Sequence, residues 1–142
     1  MNPPYKDPTV IQHVLANTKY IAVVGHSPRP DRPSYQVSSY MRQRGYIAYP
    51  VHPIAKEIDG HRCYPRLADV PGPIDIVNVF RRSEVLPDLL DEILALETMS
   101  DVKCLWTQFD IYDATVAQTA IDHGWQVIMD ACLKIEWQKI QS

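Results

Sequence analysis

The residues best suited to chemistry lie in one short stretch, Gly25-His26-Ser27-Pro28-Arg29-Pro30-Asp31-Arg32-Pro33-Ser34. Ser27 and Ser34 offer hydroxyl groups. Arg29 and Arg32 offer guanidinium forks that form charge-assisted bonds to phosphate oxygens. Gly25 permits a tight turn. Pro28, Pro30 and Pro33 stiffen the loop and lower the ordering cost of binding. These residue types suit the binding of an anion by side chains. The Arg81-Arg82 doublet is a second candidate for phosphate contact. A basic pair at a helix start opposes the helix dipole, which favours a ligand role over a purely structural one.

Candidates for catalysis are few. His26 and His52 have the side chain for acid–base work, but loop histidines also bond locally. Cys132 would need a cation or a helix N-terminus beside it to become a nucleophile. Lys134 is the only basic residue near it in sequence. Asp130 and Glu136 are carboxylates whose spacing does not establish an acid pair.

The elements that must position these groups can be read from the apolar pattern. Tyr20-Ile21-Ala22-Val23-Val24 is a continuous β-branched run, the mark of a parallel strand covered on both faces. After the loop, Ser34 to Arg44 has Val37, Tyr40 and Met41 on one face and Gly45 as its stop, which predicts a helix. The result is strand, loop, helix, with Ser34 expected to cap a helix end that attracts phosphate.

The rest of the chain extends this pattern. Residues 1–7 read as an exposed lead-in, followed by a helix capped by Asp7, with Pro8 in its first turn, ending near Asn17. Further strands are expected over Tyr46–Val51, Ile74–Phe80, Val102–Trp106 and Trp125–Met129. Helices are expected from Ser83 or Glu84 to Glu97, over Asp113–His123, and in the tail over Leu133–Ile140. His52–Asp69 is irregular, with a helical turn at Arg66–Val70.

Alternating strands and helices predict an α/β fold. It is a single Rossmann-like domain over residues 1–142, with a core over about 18–136. The expected sheet has five parallel strands in the order 3-2-1-4-5, with helices on both faces. Ligands in such sheets sit beyond the carboxyl ends of the strands, next to strand 1. Gly25–Ser34, His52–Lys56, Phe80–Ser83, Thr107–Ile111 and Asp130–Lys134 would then converge.

The type of nucleotide can be narrowed. Gly25 is not followed by the second and third glycines of a dinucleotide fingerprint. The second strand ends in Val51-His52-Pro53, without the acidic residue that would hold an NAD ribose. The glycine–lysine pattern of a P-loop occurs nowhere.

The stretches "IAVVGHSPRPDRPSYQV", "YPVHP", "IDGHRCYPRLADVPGPIDIVNVFRRSE" and "MDACLKIE" resemble the small single-domain CoA-binding proteins. These are similar to the CoA-binding domain of succinyl-CoA synthetase α subunits and of ADP-forming acyl-CoA synthetases. The resemblance runs in order from about Tyr20 to Glu136 and implies a Rossmann-like fold with CoA as ligand. It implies that Gly25, His26, Ser27, Arg32 and Ser34 meet the CoA phosphates. Val51, His52 and Pro53 would line the nucleotide part, and Phe80, Arg81 and Arg82 would flank the ligand beyond strand 3.

The chain departs from the family pattern at three places. His52 stands where Asn is common. Trp106-Thr107-Gln108-Phe109-Asp110 replaces a Trp-Leu-Gln-x-Gly stretch. Ala131 stands where Arg is usual. Asp110 would add a negative charge, and Ala131 removes a cation, at that end of the site.

Composition fits this reading and excludes others. At 142 residues and 46% hydrophobic content the chain can bury a core of its own. A net charge of -3 gives no general attraction to nucleic acid or to an anionic membrane, so an anion site must be local. Cys63, Cys104 and Cys132 form no CxxC pair, which argues for reduced thiols in a cytoplasmic protein without structural zinc. No apolar run reaches the length of a membrane span.

The expectation is a CoA or acyl-CoA binding module with no intrinsic catalysis, no metal, and neither nucleic acid nor membrane as partner. A scaffold or partner subunit of a CoA-utilising complex is the alternative, and an acyl-CoA-processing enzyme a weaker one. A homo-oligomer is compatible with either.

Overall fold

The computed structural model describes residues 5–141. Helix α1 (Pro8–Asn17) is capped by Asp7, whose carboxylate accepts from the Thr9 N–H at 2.8 Å. Strand β1 (Tyr20–Val24) leads through the Gly25 loop into α2 (Pro33–Gln43) and β2 (Ile47–Val51). A small hairpin of Glu57–Ile58 and His61–Arg62 follows, with a 3-10 turn at Leu67–Asp69. The chain continues through β3 (Ile74–Val79), a 3-10 turn at Ser83–Val85, α3 (Leu86–Leu94), β4 (Met99–Thr107), α4 (Ala114–Asp122), β5 (Gln126–Ile128) and α5 (Leu133–Gln141).

All five strands run parallel, in the order β2-β1-β3-β4-β5. The parallel α/β architecture is as expected, but β3 lies inside, against β1, and not outside β2. The reason is that the outer edge of β2 is already taken. The His52 N–H donates to the Tyr64 carbonyl at 3.0 Å, and the Tyr64 N–H donates to Pro50 at 2.9 Å. Tyr64 is a one-residue strand in the outer place. Counted so, the sheet keeps the expected winding, and only the segment filling that place differs.

Strand alternation divides the core into two layers. Ile21, Val23, Ile76 and Trp106 face α1, α2 and α5, where Val14, Met41 and Leu133 meet them. Ala22, Val24, Val77 and Leu105 face α3 and α4, against Leu86, Ile93 and Ala117. Trp106 is fully buried and its indole N–H donates to the Ala131 carbonyl at 2.9 Å. Truncating such a side chain costs about 3–5 kcal/mol. This two-faced packing fixes the carboxyl ends of the strands as one rigid rim.

The lead-in is more structured than its composition suggests. From Tyr5 onward it is docked. The Tyr5 carbonyl accepts from the Met129 N–H at 3.0 Å, and Lys6 pairs with Asp130 at 3.1 Å. Residues 1–4 lie outside the described residues. Among the described residues no helix is long and apolar enough to cross a membrane, and no cluster of His, Cys, Asp and Glu could hold a metal.

Candidate ligand-binding site

The connection from β1 runs to one side of the sheet and that from β3 to the other. Their diverging carboxyl ends leave a crevice, the usual ligand position in this architecture. A cleft of about 620 Å³ opens there. Gly25, Ser27, Arg29, Arg32 and Ser34 form one wall, His52 and Phe80 lie along the sheet ends, and Gln108, Phe109 and Ile111 form the other wall.

The first wall is a constrained turn. Gly25 has φ +86°, and a Cβ there would lie 2.9 Å from Arg81 Cδ and 3.3 Å from the Phe80 carbonyl carbon. Only glycine fits that conformation and that space. The N–H groups of Gly25 and His26 both donate to the Val51 carbonyl, at 3.1 and 3.3 Å. The Ser27 N–H donates to Ser34 Oγ at 2.9 Å, and the Arg29 N–H to Ser27 Oγ at 3.1 Å.

Ser34 was expected to cap α2, but Arg32 occupies the cap position and Pro33 opens the helix. Proline suits the first helical position because its φ is preset and its lost N–H has no helical partner anyway. Arg32 gives no side-chain cap. A guanidinium has no acceptor atom with which to make one. The first-turn N–H groups of Ser34 and Tyr35 have no carbonyl within their own helix. They form the positive end that attracts an anion.

His26 does not line the cleft. Its ring is fully buried beneath the loop. Nδ1 lies 2.9 Å from the Ser27 carbonyl, and Nε2 lies 3.2 Å from Arg42 Nη1. Burial, aided by the nearby Arg42 charge, lowers its pKa to about 4, so the ring is neutral at pH 7. It is therefore sequestered from the acid–base role considered for it. His52 does reach the cleft. Its Nδ1 accepts from the Ile54 and Ala55 N–H groups at 3.1 and 3.0 Å, which leaves Nε2 for a ligand.

The structure thus brings Gly25, Ser27, Arg32, Ser34, His52 and Phe80 together. Val51 supports the loop through its carbonyl. Pro53 and Arg81 line a smaller cleft of about 210 Å³ on the α3 side of Gly25, with Arg66 and Glu92. Arg82 is exposed, with Nε 3.9 Å from the Glu84 carboxylate.

The second wall adds Gln108, Phe109 and Ile111, which belong to the converging Thr107–Ile111 stretch but to which the sequence assigns no ligand contact of their own. Phe109 is half exposed on the wall, and Ile111 backs it. The Gln108 side chain is nearly buried, and its Oε1 has no hydrogen-bond partner among the described residues. A glutamine directly after a strand end, next to an aromatic residue, was the available clue.

Asp130 organises this wall. One carboxylate oxygen accepts from the Asp110 N–H at 2.7 Å and the other from Lys6 at 3.1 Å. The Asp110 N–H first, and Lys6 next, hold this carboxyl below its usual range. Thr107 Oγ1 accepts from the Asp130 N–H at 3.1 Å and donates to the Ile111 carbonyl at 2.6 Å. Asp110 itself has φ +66°, a left-handed conformation that glycine would adopt freely. Its carboxylate is not part of the cleft wall. Ala131 is buried against Trp106.

Comparison with known proteins identifies the family and the fold. The family model described as CoA binding domain matches residues 19–138. The Bacillus subtilis (strain 168) protein YneT is 42% identical over 125 residues, covering 88% of this chain and 90% of YneT. The ADP-forming acetate–CoA ligase II of Archaeoglobus fulgidus is 29% identical over 76 residues, which are 52% of this chain and 11% of the ligase. Among solved structures, a Thermus thermophilus protein superposes with a TM-score of 0.86 at 32% identity, covering 94% of this chain and 98% of that one. The apo acetyl-coenzyme A synthetase 1 of Ca. Korarchaeum cryptofilum superposes with a TM-score of 0.65 at 25% identity, covering 80% of this chain and 26% of that one. The chain belongs to the CoA binding domain family.

Proposed function

We propose that this chain binds CoA or acyl-CoA in the cleft between the β1 and β4 loops and performs no catalysis of its own. The observation that carries the reading is the uncapped start of α2 beside Arg29 and Arg32. The α2 start, Arg32 and Arg29, whose guanidinium lies 3.3 Å from the Asp31 carboxylate, line one wall of a cleft large enough for a nucleotide. The phosphates would sit against the N–H groups of Ser34 and Tyr35. The pantetheine arm would cross Phe80 toward Gln108 and Phe109. There the amide nitrogen of the arm could donate to Gln108 Oε1, a buried acceptor that costs about 1–3 kcal/mol while unpaired.

The binding-only part of the reading draws on two sequestered groups. His26 is buried and neutral, and Cys132 is buried at the start of α5. Arg81, which borders the smaller cleft beside Gly25, would serve only a ligand that reaches over that glycine, and Arg82 is exposed beside Glu84.

Calorimetric titration with CoA, NAD and ATP tests the proposal. CoA should bind with a dissociation constant well below ~1 mM, which corresponds to about 4 kcal/mol, and more tightly than NAD or ATP. Equal or undetectable binding of all three contradicts it.

A further inference from the structure

We propose that Arg42 is a positioning residue for the anion loop. Its guanidinium locks His26 in the Nδ1–H tautomer, and that tautomer fixes the Ser27 peptide. This rests on the reading of the Gly25–Ser34 loop as the anion site.

Which atoms can donate decides the tautomer. The Ser27 carbonyl can only accept, so the ring atom 2.9 Å from it, Nδ1, must carry the proton. Arg42 can only donate, so the ring atom 3.2 Å from it, Nε2, must be bare. The two partners demand the same tautomer. The Nε2–H form would set two donors against each other at the buried Arg42, and two acceptors against each other at Ser27 unless that loop peptide turned away, so Arg42 is the partner that enforces the choice.

Arg42 is itself held in place. Its side chain is almost wholly buried, and Nε and Nη2 donate to the Ala48 carbonyl at 3.3 and 2.7 Å. Nη1 lies 3.5 Å from the Asp59 carboxylate, which also accepts from the Tyr35 hydroxyl at 3.0 Å. The network therefore ties the small hairpin, α2 and β2 to the loop. Arg42 and Tyr35 border the imidazole, and the Asp59 carboxylate acts on it through space.

The consequence falls on the ligand wall. The carbonyl of Ser27 is held inward by His26, while its N–H is held by Ser34 Oγ and its hydroxyl by the Arg29 N–H. With all three groups of one residue fixed, the loop is preorganised before an anion arrives. Releasing the carbonyl frees that peptide to rotate and loosens Arg29.

Nitrogen NMR of the His26 ring in the intact protein at pH 7 tests the lock without any ligand. The expected result is a protonated Nδ1 and a bare Nε2. A protonated Nε2, alone or together with Nδ1, overturns the proposal. In Arg42→Met the ring should populate both tautomers, and CoA affinity should fall about five- to tenfold, the worth of one hydrogen bond. Arg42→Lys, another pure donor, should restore the Nδ1–H form. An unchanged tautomer in Arg42→Met overturns the proposal. If the wild type shows the Nδ1–H form, Arg42→Met loses it and neither protein binds CoA, the lock stands and the CoA reading fails.

Discussion

The loop after β1 and the loop after β4 stand on either side of Phe80 and wall the same cleft, yet one is braced by a buried neutral ring and the other by an ion pair open to solvent. His26 has no exposure at all, and its partners are a carbonyl and a mostly buried arginine. The Lys6 and Asp130 side chains keep 29% and 40% of their exposure. A buried neutral group resists salt but is costly to protonate, whereas an exposed pair contributes little and is screened. The two walls should therefore fail under different conditions.

Acidification separates them most strongly. The folded His26 pKa of about 4 lies below its ordinary value of 6.5. As pH falls through 6.5, the unfolded chain takes up the proton first. Stability is thus full above pH 6.5 and declines down to about pH 4, by about 3 kcal/mol in total. Asp130 is depressed instead, so its contribution is present above the ordinary carboxylate range and is lost at lower pH than that of His26. Urea unfolding at a series of pH values checks this. His26→Leu should flatten the slope between pH 6.5 and 4, while Asp130→Asn should leave that slope intact.

Gly25→Ala is expected to have the next largest effect. The left-handed backbone alone costs about 1–2 kcal/mol. The new Cβ would also crowd Arg81 and the Phe80 backbone. Thermal unfolding should register the loss, and CoA affinity should drop at least tenfold as the first wall shifts.

Arg32→Ala and Arg29→Ala should each weaken CoA binding by ~1–3 kcal/mol without lowering the melting temperature, because both side chains are exposed. Calorimetry beside a thermal melt separates the two readouts. If affinity is unchanged in both variants, the first wall is not the phosphate site.

The smallest effects belong to the second wall. Asp130→Asn keeps the acceptor for Asp110 but loses the charge opposite Lys6, and should cost under ~1 kcal/mol. Asp110→Gly relaxes a left-handed residue whose carboxylate lies off the cleft wall. It should change stability by less than ~1 kcal/mol and leave CoA affinity within about twofold. A clear gain in affinity would instead mean that Asp110 opposes the ligand.

Much of the architecture was legible because it is local. The apolar run Tyr20–Val24, the Gly25 turn and the amphipathic α2 each follow from neighbours in sequence, and together they predict the strand–loop–helix that frames the first wall. What could not be read is decided by distant partners. Whether β3 lies beside β1 or beyond β2 depends on Tyr64 filling the β2 edge. The burial of His26 depends on an arginine sixteen residues on, at Arg42. Arg81 packs across Gly25 toward the smaller cleft, although the sequence shows only that it follows a strand. Lys6 and Tyr5 brace the second wall from the far end of the chain, where a proline-rich start suggested only an exposed lead-in.

The most direct test of the account is a crystal structure of the protein soaked with CoA. The account predicts phosphate oxygens within hydrogen-bond distance, about 2.7–3.2 Å, of the Ser34 and Tyr35 N–H groups, with Arg32 beside them and the pantetheine arm over Phe80 toward Gln108. CoA bound elsewhere on the surface, with this cleft unoccupied, would contradict it.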